Sequence, residues 1–383
     1  MTGERDDLFS RPISYWMEGA GPDSDVVISS RVRLARNIAG LPFPHMLDRE
    51  QAERVIGTVS DLIASAAARG DGPLADLHLV RLHDLGSLQR QVLVEKHLIS
   101  PQHARSPLGA AAIRTDQAVS LMINEEDHLR IQVLMPALQL EEALADAVAV
   151  DDALETGLSY AWDERFGYLT ACPTNTGTAM RASVMLHLPA LVMTNQARRL
   201  AGLIGKLNCI VRGMYGEGSE AAGNIFQVSN QITMGQSESE VLTGLGSLTS
   251  RLIDEERSAR RGLVGEMRPH LEDRVWRAWG VLTTARVLSS REALQCVSDL
   301  KLGSDLGIIA GLDAPALNSV MYMIRPAYLQ ILSGHELTPD ERDIRRASLV
   351  RDQLAGRGPE AGDDRLSRAS GAQAGRPEQS GAA

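Results

Sequence analysis

Apolar positions recur at helical spacing through residues 49–69, among helix formers such as Gln51, Ala52 and Glu53, which predicts an early amphipathic helix. Short apolar runs at residues 79–82, 91–94 and 120–123, each bordered by turn or charged residues, predict strands. The pattern returns to helix over residues 136–166 and 181–206, with further strands at 209–211 and 231–234. That order predicts an α+β layer fold with an antiparallel sheet flanked by helices, in preference to a regular βαβ alternation. From about Val241 to Val287 the pattern is mostly helical, and residues 291–297 and 315–332 extend it into a helical second domain. Thr338 as N-cap, Pro339 at the first helical position and Glu341 three residues after the cap predict a strong helix start. Arg342, Arg345 and Arg346 then fall on one face of that helix. After Leu354 the chain is Gly, Ala, Pro, Ser, Arg and Glu without apolar periodicity, which predicts a disordered tail.

With 383 residues and 44% hydrophobic content the chain has ample material for a buried core. A formal net charge of −10 argues against a general nucleic-acid or membrane-surface role and directs attention to local clusters of arginine. The acidic, polar start and the lack of a long apolar run predict a cytoplasmic protein that neither enters a membrane nor carries a signal segment. Cys172, Cys209 and Cys296 are too widely spaced for a disulfide framework or a metal knuckle, so no resident metal site is expected.

Two stretches couple carboxylates to arginine: Asn124 to Arg130 (NEEDHLR) and Arg212 to Glu217 (RGMYGE). A carboxylate pair can hold two nitrogens of a guanidinium while orienting the third at a phosphate, and converging arginines can neutralise a polyphosphate. In a strand, Arg31 and Arg33 of Ser29 to Asn37 (SSRVRLARN) point to one face, which by itself fits an exposed edge strand with solvated charges and, beside further arginines, suits a polyphosphate. Cys172 to Thr178 (CPTNTGT) is a turn-rich loop expected to run into a helix carrying Arg181, Ala182 and Ser183; its cysteine suits either a lowered thiolate or a small buried thiol. His97 is either a structural histidine or one that meets a nucleotide. With no Gly-x-x-x-x-Gly-Lys-Ser/Thr loop, an ATP site here is not a P-loop.

The four strings, in the same order, resemble those of the phosphagen (guanidino) kinase catalytic domain. The resemblance implies that ATP, carrying Mg2+, is held by Ser29, Ser30, Arg31, Val32 and Arg33, by His97 and Arg130, by Arg181, Ala182, Ser183, Val184 and Met185, and by Arg212, Gly213, Met214, Tyr215, Gly216 and Glu217. It further implies that Glu126 and Glu217 grip and deprotonate the guanidinium and that Cys172 packs against it as a thiolate. Small-molecule phosphagen kinases carry a helical domain ahead of the first string, where this chain has 28 residues, so the element enclosing a small guanidine is expected to be missing.

The whole layout is similar to that of the bacterial protein arginine kinases (McsB type). Arg342, Asp343, Ile344, Arg345, Arg346 and Ala347 match that family's RDxxRA motif, which implies an allosteric pocket for phosphoarginine. The expected division is a lead segment at 1–25, a catalytic domain at 26–255, a helical domain at 256–352 and a tail at 353–383. The implied activity is ATP-dependent phosphorylation of exposed arginines in proteins, marking them for Clp-type proteolysis, by a homodimer served by an activating adaptor. A kinase of free arginine or another small guanidine, and a non-catalytic phosphoarginine-binding adaptor, are the competing readings.

Overall fold

The computed structural model describes residues 8–9, 11, 13–196, 209–213 and 222–358, with only the backbone at 212 and 213. Eight strands form one antiparallel sheet: β1 (Val27–Arg36), β2 (Leu77–Arg81), β3 (Ala110–Arg114), β4 (Val119–Ile123), β5 (Leu129–Pro136), β8 (Met180–His187), β9 (Cys209–Gly213) and β10 (Ile225–Asn230). Their spatial order is β2, β3, β4, β5, β1, β8, β10, β9, so β1 lies in the interior with β5 on one side and β8 on the other. The short β6 (Trp162–Asp163) and β7 (Gly167–Tyr168) make a separate hairpin.

One face of the sheet is closed by α1 (Arg49–Arg69), α3 (Leu140–Glu155) and the first half of α5 (Glu238–Thr284). α1 begins with a capping box, in which Asp48 accepts from the Gln51 N–H at 2.8 Å and Gln51 accepts from the Asp48 N–H at 3.1 Å. Its buried Val55, Ile56, Val59 and Ile63 belong to the same core as Val32, Ala182 and Val184 from the strands. Among the described residues a second cluster covers one end of β1, β5 and β8 on the second face. There Trp16, Leu134 and Met185 pack under the rest of α5, α6 (Ser290–Asp305), α7 (Ala314–Met323) and α9 (Pro339–Leu354). A third cluster joins α2 (Ser87–Glu95) and α8 (Pro326–Ser333) to β2 and β3. Between these two helical groups the described residues leave part of that second face open.

α5 runs unbroken across residues 255 and 256 and changes direction at Met267, just before Pro269, whose ring cannot accept the helical hydrogen-bond pattern. A buried ion cluster ties it to its neighbours: Glu256 pairs with Arg260 at 2.8 Å and accepts from the N–H groups of Ala190 and Leu191 at the start of α4 (Pro189–Met193).

Four expectations fail for identifiable reasons. Residues 91–94 are helical within α2, because only Val92 and Leu93 of that run are buried and a four-residue apolar run carries no decisive period. Residues 180–187 form a strand hydrogen-bonded on both edges; residues 197–206 of the expected helix lie outside the described residues. Residues 231–234, expected as a strand, are not one; they follow β10, which ends at Asn230. The helix expected over 136–166 covers 140–155 and gives way to the β6–β7 hairpin. Strands β3, β5 and β10 and the β6–β7 hairpin lie where no strand is expected. The tail from residue 359 lies outside the described residues.

Candidate active site

The pleat of β1 sends Val32 into the core and leaves Arg31 and Arg33 on the open face. Register brings the rest. Arg33 stands directly opposite Arg181 of β8 and Gln132 of β5, and Arg130 lies two residues from Gln132 on the same face. Like charges opposed in a ladder are unfavourable, so the sheet tolerates four clustered guanidiniums at a cost. Burial, and then the charges of Arg31, Arg130 and Arg181, depress the Arg33 pKa well below the ordinary arginine value, against a smaller pull from Glu125. The Arg33 Nε is buried with no hydrogen-bond partner among the described residues.

Its neighbours are held more firmly. Arg181 donates to the carbonyls of Thr174 (3.0 Å), Asn230 (3.0 Å) and Gln231 (2.7 Å) and to Asn175 Oδ1 (3.1 Å). Arg31 Nε donates to Ser183 Oγ at 3.2 Å. Arg130 bridges Glu125 at 2.6 Å and Glu126 at 2.7 Å. Glu125 is the buried partner and also accepts from Ser100 Oγ at 2.6 Å. Burial works to raise its pKa, but Arg130 and the Ser100 hydroxyl outweigh it and hold the carboxyl below its ordinary value. Glu126 is the partly exposed one and faces the cleft.

A cavity of about 850 Å3 is lined by Arg33, Arg130 and Arg181 with Glu126, Cys172 and the 173–176 loop. A second, of about 590 Å3, shares Arg33 and Arg130 and adds Arg31, His97, Gln132 and Arg325. The Cys172 thiol is half-buried, 3.0 Å from Thr174 Oγ1. Burial, helped by Arg325 and Arg31, lowers the His97 pKa to about 3, so the imidazole meets the second cavity uncharged.

The carboxylate loop and the cysteine loop are joined by groups that sequence reasoning passed over. Asp127 Oδ1 accepts from Asn37 Nδ2 (2.7 Å) and from the Ala171 N–H (2.8 Å), while Asn37 also donates to Leu169 O (2.9 Å) and accepts from the His128 N–H (2.9 Å). His128 Nδ1 accepts from the Ile38 N–H at 3.0 Å. These residues sit inside the strings that drew attention to the arginines and glutamates. The available signal was a polar residue between charged ones, with no period to show that it turns inward.

Other candidates fall elsewhere. Val32, Ala182 and Val184 belong to the core on the opposite face. Ser30 is buried, donating to Ala137 O at 2.9 Å and accepting from the Gln139 N–H at 3.0 Å. Ser29 is buried in β1, two residues from Arg31, and Met185 lies under the C-terminal helices with the Tyr322 hydroxyl 3.6 Å from its sulfur. Arg212 and Gly213 are placed by backbone in β9, Arg212 opposite Gln227. Met214, Tyr215, Gly216 and Glu217 lie outside the described residues.

The C-terminal motif divides in two. Arg346 is buried, donates to Ile324 O (2.9 Å) and Leu288 O (2.8 Å) and pairs with Asp343, while Ala347 joins the core. Ile344 is exposed, Arg342 donates to Leu337 O at 2.9 Å, and Arg345 makes no hydrogen bond or ion pair with the described residues. Among the described residues no group of three or more His, Cys, Asp or Glu could hold a metal, and no helix is long and apolar enough to cross a membrane.

Comparison with known proteins agrees with this geometry. Residues 58–259 match the family model of the ATP:guanido phosphotransferase C-terminal catalytic domain, and residues 268–370 match that of the protein-arginine kinase McsB C-terminal domain. A protein-arginine kinase of Moorella thermoacetica is 55% identical over 344 residues, covering 90% of this chain and 98% of the relative. One from Bacillus subtilis is 49% identical over 342 residues, covering 89% and 93%. The crystal structure of lombricine kinase superposes with a TM-score of 0.56 at 25% identity, covering 64% of this chain and 70% of that one. The arginine-lined face of an antiparallel sheet, followed by the helical C-terminal region, therefore places this chain in the protein arginine kinase family.

Proposed function

We propose that the chain transfers the γ-phosphoryl group of ATP to arginine side chains of proteins. One observation carries the reading: a buried, unpartnered Arg33 Nε stands in a wall of arginines that faces Glu126 and Cys172 across a single cavity. The arginines bind the phosphates and neutralise charge on the transferring group, which is where stabilisation of phosphoryl transfer mostly lies. Glu126, together with Glu217, orients the acceptor guanidinium and takes the proton from its attacking nitrogen as the N–P bond forms and ADP leaves. Cys172 lies beside that acceptor. Magnesium enters with ATP, held by phosphate oxygens and water. Glu125 is engaged by Arg130 and Ser100 and is not a free ligand.

Incubation with Mg-ATP and either an unfolded protein or free arginine, followed by measurement of acid-labile phosphate, tests the reading. Label is expected on the protein. Comparable turnover of free arginine would replace the reading with a small-guanidine kinase, and label on neither would leave a binding protein.

In the same reading Arg342 to Ala347 form the allosteric phosphoarginine site. Ile324 O receives Arg346, and the adjoining Arg325 lines the nucleotide-side cavity with Glu95, whose carboxylate accepts from the Ala327 and Tyr328 N–H groups. The motif and the cleft thus share the start of α8. A cytoplasmic location, a homodimer through the helical domain, an activating adaptor and delivery of labelled proteins to Clp-type proteolysis complete the proposal and rest on family resemblance.

A further inference from the structure

Beside the mouth of the catalytic cavity four large apolar side chains lie open to solvent: Trp162 (57% exposed), Phe166 (44%), Met234 (46%) and Ile232 (36%). Single exposed apolar residues are ordinary; a group of them is not. Trp162, Phe166 and Met234 share a shallow cavity of about 470 Å3, and Thr233 and Met234 line both this hollow and the catalytic cavity. The two therefore adjoin.

The ledge is bolted to the Cys172 loop through backbone. Tyr168 N–H donates to Gly177 O at 2.9 Å, Thr178 N–H donates to Thr233 O at 3.0 Å, and the Thr233 hydroxyl lies within reach of Thr174 O (3.0 Å) and Thr176 O (2.7 Å). Trp162 packs edge-on against Tyr168 with ring centroids 4.8 Å apart. A surface so mounted keeps a constant position relative to Glu126 and Cys172, and rigid aromatic side chains lose little entropy on contact.

We propose that this ledge receives the residues flanking the acceptor arginine, so that the chain selects arginines beside large apolar side chains in extended segments; the inference rests on the proposed protein-arginine activity. An arginine presented by a polypeptide carries its neighbours to the cavity mouth, at about 3.3 Å per residue when extended. The surface they meet on this side presents these apolar side chains, with Arg165 and Glu238 also on its lining. Folded proteins bury such neighbours, so the pairing of an accessible arginine with an accessible Leu or Phe marks an unfolded segment.

The test compares two unstructured peptides bearing one arginine each, flanked by Leu and Phe or by Gly and Ser. The parent is expected to favour the apolar peptide in kcat/KM by on the order of ten-fold, mainly through KM, as expected of anchoring apolar contacts. Trp162→Ser with Phe166→Ser should reduce that preference to near unity and leave the Gly/Ser peptide unchanged. Ile232→Ser alone should reduce it in part. Absence of preference in the parent, an undiminished preference in the double variant, or an equal loss on both peptides overturns the proposal. So does sedimentation showing a parent dimer that the double variant converts to monomer, which would assign the ledge to a second copy of the chain. Failure to phosphorylate either peptide removes the functional reading itself, and this inference with it.

Discussion

Arg33 and Glu126 show how differently two charged residues are held in one cleft. Arg33 is half-buried and crowded by like charges, an arrangement that an incoming polyphosphate relieves. Glu126 is half-open and among the described residues pairs only with Arg130, so it can exchange that partner for a guanidinium. Glu126→Gln is expected to lower turnover by roughly 10²–10⁴-fold, the usual contribution of a positioned acid–base group. Nucleotide affinity measured by calorimetry should stay near that of the parent; a variant retaining half its turnover would remove the assignment. His128 tests a different property. Burial lowers its pKa to about 4, and its Nδ1 is already engaged as an acceptor. The unfolded chain binds this proton near pH 6.5 and the folded chain does not, so its contribution to stability is present above about pH 6.5 and is lost as pH falls toward 4. In urea titrations over that range the parent should lose up to about 1.4 kcal/mol more per pH unit than His128→Asn. Equal slopes would show that the imidazole titrates normally.

The elements contribute through register and close backbone contact. β1, β5 and β8 present arginines from three distant parts of the chain because antiparallel pairing sets Arg33 against Arg181 and Gln132. The loop bearing Cys172 is set by Gly177, whose φ of +119° excludes most side chains and whose added Cβ would lie 2.2 Å from Thr233 O. Gly177→Ala should therefore destabilise the fold by about 1–3 kcal/mol, as strained positions of this kind do, and reduce turnover on every substrate alike. Thermal unfolding and rates on the two peptides check this together; an unchanged melting temperature would mean that the loop shifts freely and does not position the thiol.

Across the whole molecule, the C-terminal helices close one end of the sheet's functional face and define where the cleft begins. Arg346 belongs to that closure, so Arg346→Ala leaves Asp343 and two carbonyls without their donor and should cost about 2–4 kcal/mol in stability. Arg345 has no such duty. Arg345→Ala is expected to melt with the parent yet lose stimulation by phosphoarginine, a coupling typically worth about 1–3 kcal/mol. A response equal to the parent's would reduce this helix face to a solvated one.

Local patterning determined α1 from its helical period, α9 from Thr338, Pro339 and Glu341, and the mostly helical C-terminal third. These signals act within a few residues, so they survive in the chain read alone. The carboxylate and arginine strings likewise identified the chemistry, because the residue types needed for phosphoryl transfer to a guanidinium are few. What patterning could not supply was pairing. Residues 180–187 have an alternation compatible with either element until β1 and β10 hydrogen-bond both edges, and residues 91–94 become helical only against α8 and the neighbouring strands. The burial of Arg346, the inward turn of Asp127 and the core positions of Val32, Ala182 and Val184 depend on contacts with residues far away in the chain. Tertiary structure alone decided which arginines face the cleft, since a single-residue change in register would send each to the other side of the sheet.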